Sequence, residues 1–411
     1  MFKRLITGLT SGITAGLNKN ILVLIVSLSM SQAVVVAMIA TSTLAASTLT
    51  DKVAQAFWPI ALQFTGLFAF SALVAYMMKI WGRKLGFSIC ASIGMLSAAL
   101  SVYALISNNF LLFCVTAFFF GITAAGVQQY RFAAIEAANP GKQAVAISYV
   151  LTGGIVAAVI GARFGVWGQE LIPEARFSGS YLMVFLLCLG SLLAIQFLKM
   201  PKVEEESQEQ LQPQRSTWTM VSQPRFIVAV IAAMMGYGVM NFIMVATPKA
   251  MEFCGFSYAN SSDIVLMHVL GMFVPSFFTG HLIQRFGVER IIFLGVVLNL
   301  LCVAINLLGV NFTNFSLALI ALGIGWNFCF IGGTAMLAQC YYPQERAKAQ
   351  AINETLVAAI VALTAIFSGG VLAESGWVFV NLSAVPAIWI IALSLLAVFL
   401  IERKKKSAFA A

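Results

Sequence analysis

The sequence predicts an all-α membrane protein whose twelve transmembrane helices form two pseudo-symmetric six-helix bundles. Three observations lead to this prediction: the composition, the number of apolar runs, and the distribution of basic residues between those runs. Of the 411 residues, 61% are hydrophobic and only 9% are charged, whereas a soluble protein carries about 25% charged residues. Most of the surface must therefore face lipid.

Twelve apolar runs are long enough to cross a bilayer, which takes about 20 residues per helix. Because backbone polar groups in lipid must bond to one another, we expect runs of this length to be helical. We number them span 1 to span 12, at residues 21–46, 53–76, 85–106, 110–132, 145–166, 179–198, 226–247, 260–282, 291–310, 316–338, 351–372 and 378–401.

The basic residues predict the orientation of the spans, because Lys and Arg concentrate in cytoplasmic loops. With a cytoplasmic amino terminus, 20 of the 24 Lys and Arg residues fall on the inner side, and the outer side receives Lys52, Arg163, Arg176 and Lys249. One helix more or fewer would remove this asymmetry. We therefore predict a multi-pass protein of a bacterial inner membrane with both termini in the cytoplasm. Its positive charges lie in short loops rather than on one basic face, which argues against a nucleic-acid partner.

One long polar stretch separates the first six spans from the last six. Residues 199–225 are rich in Glu and Gln, a composition typical of a flexible linker. The sequence thus predicts an amino-terminal bundle at 1–198, a cytoplasmic linker at 199–225 and a carboxyl-terminal bundle at 226–411.

Two loops of the first half have counterparts in the second half. An aromatic-Gly pair at 81–82, after span 2, matches another at 286–287, after span 8, which is 205 residues later. The loop at 140–144, after span 4, matches the loop at 343–347, after span 10, at an offset of 203. Two matches at nearly one offset indicate a duplicated six-helix unit.

These loops resemble the signature of the major facilitator superfamily of secondary transporters, Gly-x-x-x-Asp-Arg-x-Gly-Arg-Arg/Lys. The positions that fit it are Gly82, Arg83 and Lys84 in the first copy and Gly280, Arg285, Gly287 and Arg290 in the second. The resemblance extends over the whole chain. It implies that spans 1, 2, 4, 5, 7, 8, 10 and 11 line a central cavity and that the bundles rock to give alternating access.

The resemblance also implies a cytoplasmic gate, in which the signature Asp helps to close the inner side against span 11. In this chain that Asp is replaced by Lys79 in the first copy and by Gln284 in the second. We expect Lys79 to pair instead with Glu354 or Glu345. The candidate gate residues are Lys79, Gly82, Arg83, Arg131, Arg285, Gly287, Arg290 and Glu354.

Span 5 carries a pattern that is similar to an antiporter signature, Gly-(x)8-Gly-x-x-x-Gly-Pro-x-x-Gly-Gly. The matching glycines lie at 153–154 and within 161–165, and Ala162 stands where the signature has Pro. The pattern favours export over import. Close helix packing through small residues explains the same glycines.

Polar groups inside the hydrocarbon are costly, so those on the cavity-lining spans are candidate substrate contacts. They are Gln32, Gln63, Gln128, Arg163, Asn241, His268 and Asn327, to which we add the aromatic Trp326. Each has a structural alternative. The amides can join helices, Arg163 can extend to the outer headgroups, and Trp326 can pack against other rings instead of a planar solute.

His268 and Glu354 are the candidate proton carriers. An imidazole changes its charge near physiological pH, and Glu354 lies about one turn inside span 11. The alternative for His268 is a neutral imidazole that is bonded to a backbone carbonyl.

Enzymatic interpretations find little support. The chain has only two histidines, which argues against a bis-His haem or a multi-His metal centre, and it contains no P-loop and no GxSxG motif. We therefore expect no enzymatic activity, no cofactor and no bound metal.

The predicted function is proton-coupled secondary transport of a small organic solute by a lipid-embedded monomer, with export favoured. One alternative is a proton-linked importer of a metabolite or metal chelate. An alternative of another class is a scaffold or sensor that has the fold but does not transport.

Overall fold

The computed structural model describes residues 18–138, 143–200, 215–342 and 345–410, and within these ranges the chain forms helices and turns without a β-strand. In chain order the helices are α1 (Lys19–Ala46), α2 (Val53–Ala56), α3 (Trp58–Trp81), α4 (Arg83–Ile106), α5 (Phe110–Ala137), α6 (Gln143–Gly168), α7 (Ser178–Ile195), α8 (Thr217–Val221), α9 (Pro224–Phe253), α10 (Tyr258–Phe273), α11 (Ser276–Phe286), α12 (Val288–Leu308), α13 (Phe312–Leu337) and α14 (Arg346–Ala410).

The chain divides into two compact units. Unit 1 comprises Met1–Leu49 and Thr65–Glu206, and unit 2 comprises Thr50–Phe64 and Ser207–Ala411. The first residues of α3 therefore group with unit 2. Most of the predicted linker lies in 201–214, outside the described residues, and its carboxyl end contains the short helix α8. The predicted bounds at 198 and 225 stay a prediction.

The twelve predicted spans are present as helices. Among the described residues, eleven helices are long and apolar enough to cross a membrane, and the last of them, Lys348–Arg403, has 56 residues. At 1.5 Å per residue this helix would be roughly 84 Å long, far more than a hydrocarbon core of about 30 Å. Gly376 interrupts it with a φ of 79° and a ψ of −179°. The helix is therefore two spans, and the break falls between the two predicted runs.

Span 8 differs from the prediction of one continuous run at 260–282. It consists of α10, which ends at Phe273, and α11, which begins at Ser276. Pro275 lies at the junction. A proline has no N–H to donate, and its ring clashes with the carbonyl four residues earlier, so the helix is interrupted here.

The two matched aromatic-Gly pairs share one backbone conformation. Gly82 has a φ of 84° and Gly287 a φ of 89°, and each directly precedes the first residue of the next helix. Side chains with a Cβ rarely adopt such a φ. The turn at which one span passes to the next is thus the same in both copies, as the repeat predicts.

Six of the seven cysteines are buried, and all seven lie in the described ranges. The exposed one is Cys254, immediately after the carboxyl end of α9.

Candidate functional site

Unit 1 contains an ion pair at the signature loop. The guanidinium of Arg83 contacts both carboxylate oxygens of Glu136 at the end of α5, with Nη2 2.6 Å from Oε1 and Nε 3.0 Å from Oε2. Its Nη1 donates to Gln129 at 3.1 Å. Lys79, in the last turn of α3, and Gly82, directly before Arg83, are exposed. The pair ties the loop between α3 and α4 to α5, and sequence analysis missed it because the two charges are 53 positions apart.

A second polar cluster of unit 1 consists of four buried hydroxyls. Ser27 Oγ lies 2.6 Å from the Tyr130 hydroxyl and 2.9 Å from Ser191 Oγ, and Ser31 Oγ lies 2.8 Å from Ser191 Oγ. These bonds join α1, α5 and α7. Since the hydroxyls are bonded to one another, the cluster links helices.

The other predicted residues of unit 1 lie on three helices. Gln32 on α1, Gln128 and Arg131 on α5, and Arg163 on α6 are all half-buried. The Arg131 guanidinium lies 4.9 Å from the centre of the Phe132 ring. Their roles stay predictions.

Gln63, on the part of α3 that groups with unit 2, is fully buried, and its Oε1 has no hydrogen-bond partner among the described residues. A buried carbonyl oxygen without a donor is costly, so this amide remains a candidate contact for a polar solute.

Three aromatic rings of unit 2 meet where α9 and α13 cross, and we call them the aromatic corner: Tyr237, Trp326 and Phe330. Trp326 stacks on Phe330 with centroids 5.0 Å apart and planes 11° apart. Tyr237 stands edge-on to both, with centroids 5.4 Å from Trp326 and 5.5 Å from Phe330. Sequence analysis selected Trp326 but not its two partners, because Tyr and Phe in an apolar run are ordinary core residues.

Asn327 holds the interrupted span 8. Its Nδ2 donates to the Met272 carbonyl and to Ser276 Oγ, both at 2.7 Å, and its Oδ1 accepts from Thr279 Oγ1 at 2.6 Å. The side chain is fully buried. Both of its amide hydrogens are used on α10 and α11, which favours the structural alternative for this residue.

Asn241 is also buried and joins helices. Its Nδ2 donates to the Val361 carbonyl at 3.0 Å and to Thr364 Oγ1 at 3.1 Å, which ties α9 to α14.

His268 is fully buried on α10. Its Nδ1 lies 2.8 Å from the Leu319 carbonyl oxygen on α13, the arrangement that sequence analysis raised as the structural alternative. Its Nε2 has no hydrogen-bond partner within the described parts of the chain. One ring nitrogen is therefore fixed by the fold, and the other is buried without a partner among the described residues; its role in proton transfer stays a prediction.

The predicted gate residues of unit 2 lie at or near the ends of its helices. Arg285 and Arg290 are exposed on either side of Gly287, and Glu354 is half-buried. Glu345, an expected partner of Lys79, is instead bonded to Arg215, with Nη2 2.6 Å from Oε2.

The Arg215–Glu345 pair attaches the carboxyl end of the predicted linker to the segment before α14. Glu345 is buried, and its Oε2 also accepts from the Tyr342 backbone N–H at 3.0 Å. The hydrogen bond from Arg215, together with that from Tyr342, lowers the pKa of the Glu345 carboxyl to about 2. The linker is thus anchored at this end rather than being flexible throughout.

Arg225 forms a third ionic contact, which sequence analysis missed. It pairs with Glu289 at the start of α12, and its Nη1 lies 3.4 Å from Glu402 near the end of α14. This contact ties the first turn of α9 to two other helix ends.

A cavity of about 310 Å³ in unit 2 lies between α9 and both parts of α14, and its lining is almost entirely apolar. Solute sites combine apolar walls with a few polar groups that fix orientation. Because this cavity has almost none, it is a weaker candidate than the aromatic corner. Among the described residues, no three His, Cys, Asp or Glu side chains lie together as a metal site requires.

Comparison with known proteins gives a consistent result. The family model described as Major Facilitator Superfamily matches residues 21–262 and 230–411. The riboflavin transporter RfnT of Brucella anthropi is 39% identical over 350 residues, which is 85% of this chain and 87% of that protein. The uncharacterized MFS-type transporter YddS of Bacillus subtilis is 26% identical over 78% of each chain.

Solved structures resemble the chain as well. A mutant of the nucleoside transporter NupG has a TM-score of 0.70 at 16% identity and covers 93% of this chain and 100% of its own. A bacterial homolog of the human lysosomal transporter Spinster has a TM-score of 0.66 at 14% identity, with 93% and 96% covered. At such low identity these similarities establish the fold alone.

Proposed function

Because this chain belongs to the Major Facilitator Superfamily, we propose that it carries a small planar organic solute of the riboflavin type across the bacterial inner membrane by alternating access. The observation that carries this proposal is the 39% identity to a riboflavin transporter over 85% of the chain. The aromatic corner supports it, since stacked rings suit a planar solute.

The cargo is tested with purified protein in liposomes. We expect riboflavin to enter protein-containing vesicles faster than protein-free ones, and excess unlabelled riboflavin to suppress entry of the labelled compound. Ribitol, which lacks the ring system, should not suppress it. Equal entry with and without protein would exclude riboflavin as the cargo.

A scaffold or sensor of the same fold is the competing function. A ligand that binds only the folded state raises its melting temperature, so riboflavin should stabilise the purified protein if it is the cargo. Stabilisation without any vesicle transport would favour the sensor.

We also propose that transport is coupled to protons through His268. The support is its complete burial and the unpartnered Nε2, on a membrane-spanning helix where an ionisable side chain is costly. We expect His268→Gln to abolish the pH dependence of transport, whereas His281→Gln, at the exposed second histidine on α11, should leave it intact. If His268→Gln keeps the dependence, Glu354 becomes the proton carrier to test.

The glycine pattern of span 5 supports one direction of solute transport, namely export in exchange for protons. Proton-linked import, of a metabolite or of a metal chelate, is the alternative. With a pH gradient across the vesicle membrane, an exchanger accumulates the solute on the acidic side and a symporter accumulates it on the alkaline side. Accumulation on the alkaline side would therefore overturn export.

A further inference from the structure

The aromatic corner lies near the middle of both helices that form it. Tyr237 is 13 residues from the start of α9, and Trp326 is 14 residues from the start of α13, so each lies roughly 20 Å along its helix at 1.5 Å per residue. This depth is close to the centre of the hydrocarbon core, beyond the reach of the lipid headgroups.

Small residues bring the two helices together at the corner. A Cβ added to Gly236 would come within 2.6 Å of the Cys329 Cβ, and one added to Gly333 within 2.7 Å of the Ala229 carbonyl oxygen. α9 and α13 therefore approach closely beside the rings, at Gly236, and again one turn further along α13, at Gly333. This contact holds Tyr237 against Trp326 and Phe330 in a fixed arrangement.

The indole of Trp326 carries an unused donor. The residue is 7% exposed, and its Nε1–H has no hydrogen-bond partner among the described residues. A buried Trp usually finds such a partner, and an N–H that is left unsatisfied away from water is costly. Tyr237 and Phe330, by contrast, are only half-buried, so the corner keeps accessible ring surface beside the donor.

We propose that the aromatic corner binds the planar heteroaromatic part of the transported solute, with a solute carbonyl or ring nitrogen accepting from Trp326 Nε1. The exposed ring surface of Phe330 and Tyr237 supplies stacking, and the indole N–H fixes the orientation of the ring. This inference rests on the proposed transport of a planar solute but not on riboflavin being that solute.

Packing alone explains another aromatic cluster of unit 2, which serves as a comparison. Phe315 lies 5.4 Å from Trp377 and 6.1 Å from Phe256 between ring centroids, and Trp377 Nε1 also has no partner in the described ranges. Those rings lie at helix ends, next to Gly376 and to the start of α13. There the bilayer interface, where the Trp and Tyr belts of membrane proteins lie, is close by. At the depth of Trp326 the headgroups are out of reach, so an acceptor must come from another protein group or from the central cavity, as a solute or as water.

The test compares binding of planar and non-planar probes to the purified full-length protein. The probes are riboflavin, its ring system alone (lumichrome), a purine nucleoside, and ribitol. Each probe is titrated against five proteins to obtain its Kd: the wild type, Trp326→Phe, Phe330→Leu, Tyr237→Leu and the control Trp377→Phe. The melting temperature of every variant shows whether it is folded.

We expect at least one planar probe to bind and ribitol not to bind. Phe330→Leu should weaken binding of that probe about tenfold, as expected for the loss of one stacked ring. Trp326→Phe keeps a ring but removes the donor and should weaken binding by a factor of about five to ten. The Kd of Trp377→Phe for the same probe should stay within about twofold of the wild-type Kd, since this substitution leaves the aromatic corner intact.

Several outcomes would overturn the inference. The first is that no planar probe binds to the wild type. The second is that the Kd values of all corner variants stay within twofold of the wild-type Kd. If riboflavin does not bind but the nucleoside does, and the corner variants weaken binding of the nucleoside, then riboflavin is not the cargo. The aromatic corner is still supported as the binding site in that case. If Trp326→Phe does not fold, the half-buried Phe330 and Tyr237 variants decide.

Discussion

At the scale of single residues, buried amides show why polar side chains in membrane-spanning helices have two interpretations. Asn327 and Asn241 were selected from the sequence as cavity residues, and both are used to join helices in unit 2. Their chemistry was predictable, because a polar group in the hydrocarbon needs a partner. The identity of the partner was not, since carbonyls such as that of Met272 become available only where Pro275 interrupts α10.

The role of Asn327 can be measured. We expect Asn327→Leu to lower the free energy of unfolding by about 2 kcal/mol, because it removes the three buried hydrogen bonds that Asn327 makes to Met272, Ser276 and Thr279. Thermal unfolding in detergent measures this. As a control, Asn299→Leu should cost clearly less, since within the described ranges the Nδ2 of Asn299 has only a long contact of 3.8 Å with Cys329 Sγ. Equal losses would contradict this role.

The Arg215–Glu345 pair predicts a pH dependence of stability. The pKa of Glu345 is lowered from 4.5 to about 2 by its hydrogen bonds to Arg215 and Tyr342. A lowered carboxyl pKa means that the pair stabilises the fold fully above about pH 4.5 and that this contribution disappears as the pH falls towards 2.

Melting temperatures of the wild type and of Glu345→Gln, taken from pH 7 to pH 2, test this dependence. We expect the wild type to melt higher at pH 7 and the difference to vanish near pH 2. A difference that is constant over this range would rule out Glu345 as the titrating group.

At the scale of helices, sequence analysis correctly predicted that the twelve membrane-spanning helices exist and in which order they follow. It did not predict where a helix is interrupted. The length of an apolar run suffices to predict a membrane-spanning helix, because backbone N–H and C=O groups in lipid must hydrogen-bond to one another. The ends differ by several residues, as for α9, which runs from 224 to 253 where 226–247 was predicted, because a helix can continue past the hydrocarbon. The interruption after Phe273 lay inside an apolar run and was missed, although Pro275 was its signal.

Gly376 separates spans 11 and 12 through its backbone conformation. A residue with a Cβ at a φ of 79° and a ψ of −179° is strained by about 1–3 kcal/mol. We therefore expect Gly376→Ala to lower the melting temperature.

The control for this prediction is Gly370→Ala, a few residues earlier in the same helix. A Cβ at Gly370 meets no atom within 4 Å, so this substitution should stabilise the protein by roughly 0.5–1 kcal/mol. If both substitutions shifted the melting temperature in the same direction, the break would not depend on Gly376.

At the scale of the whole molecule, composition and the charge pattern predicted the fold class, which the family match and the similar structures confirm. The candidate site was predicted less completely. Trp326 was selected from the sequence, whereas Tyr237 and Phe330 emerged only when the crossing of α9 and α13 was known. A contact between residues 89 positions apart leaves no trace in a single sequence.

The orientation of the chain remains a prediction from 20 of the 24 basic residues. A phosphatase or fluorescent reporter fused after Ala411 should report a cytoplasmic carboxyl terminus, and protease added to intact spheroplasts should spare the stretch after Lys199. A periplasmic reporter signal would contradict the twelve-span topology.

The exposed Cys254 gives the unmodified protein a single site for thiol chemistry. Because the other six thiols are buried, a maleimide dye or a nitroxide should attach at one position without the removal of any native cysteine. Partial burial raises the pKa of the Cys254 thiol, so conjugation should go faster in mildly alkaline buffer, where more thiolate forms. A probe fixed there would report solute-induced motion of this loop by fluorescence or electron paramagnetic resonance.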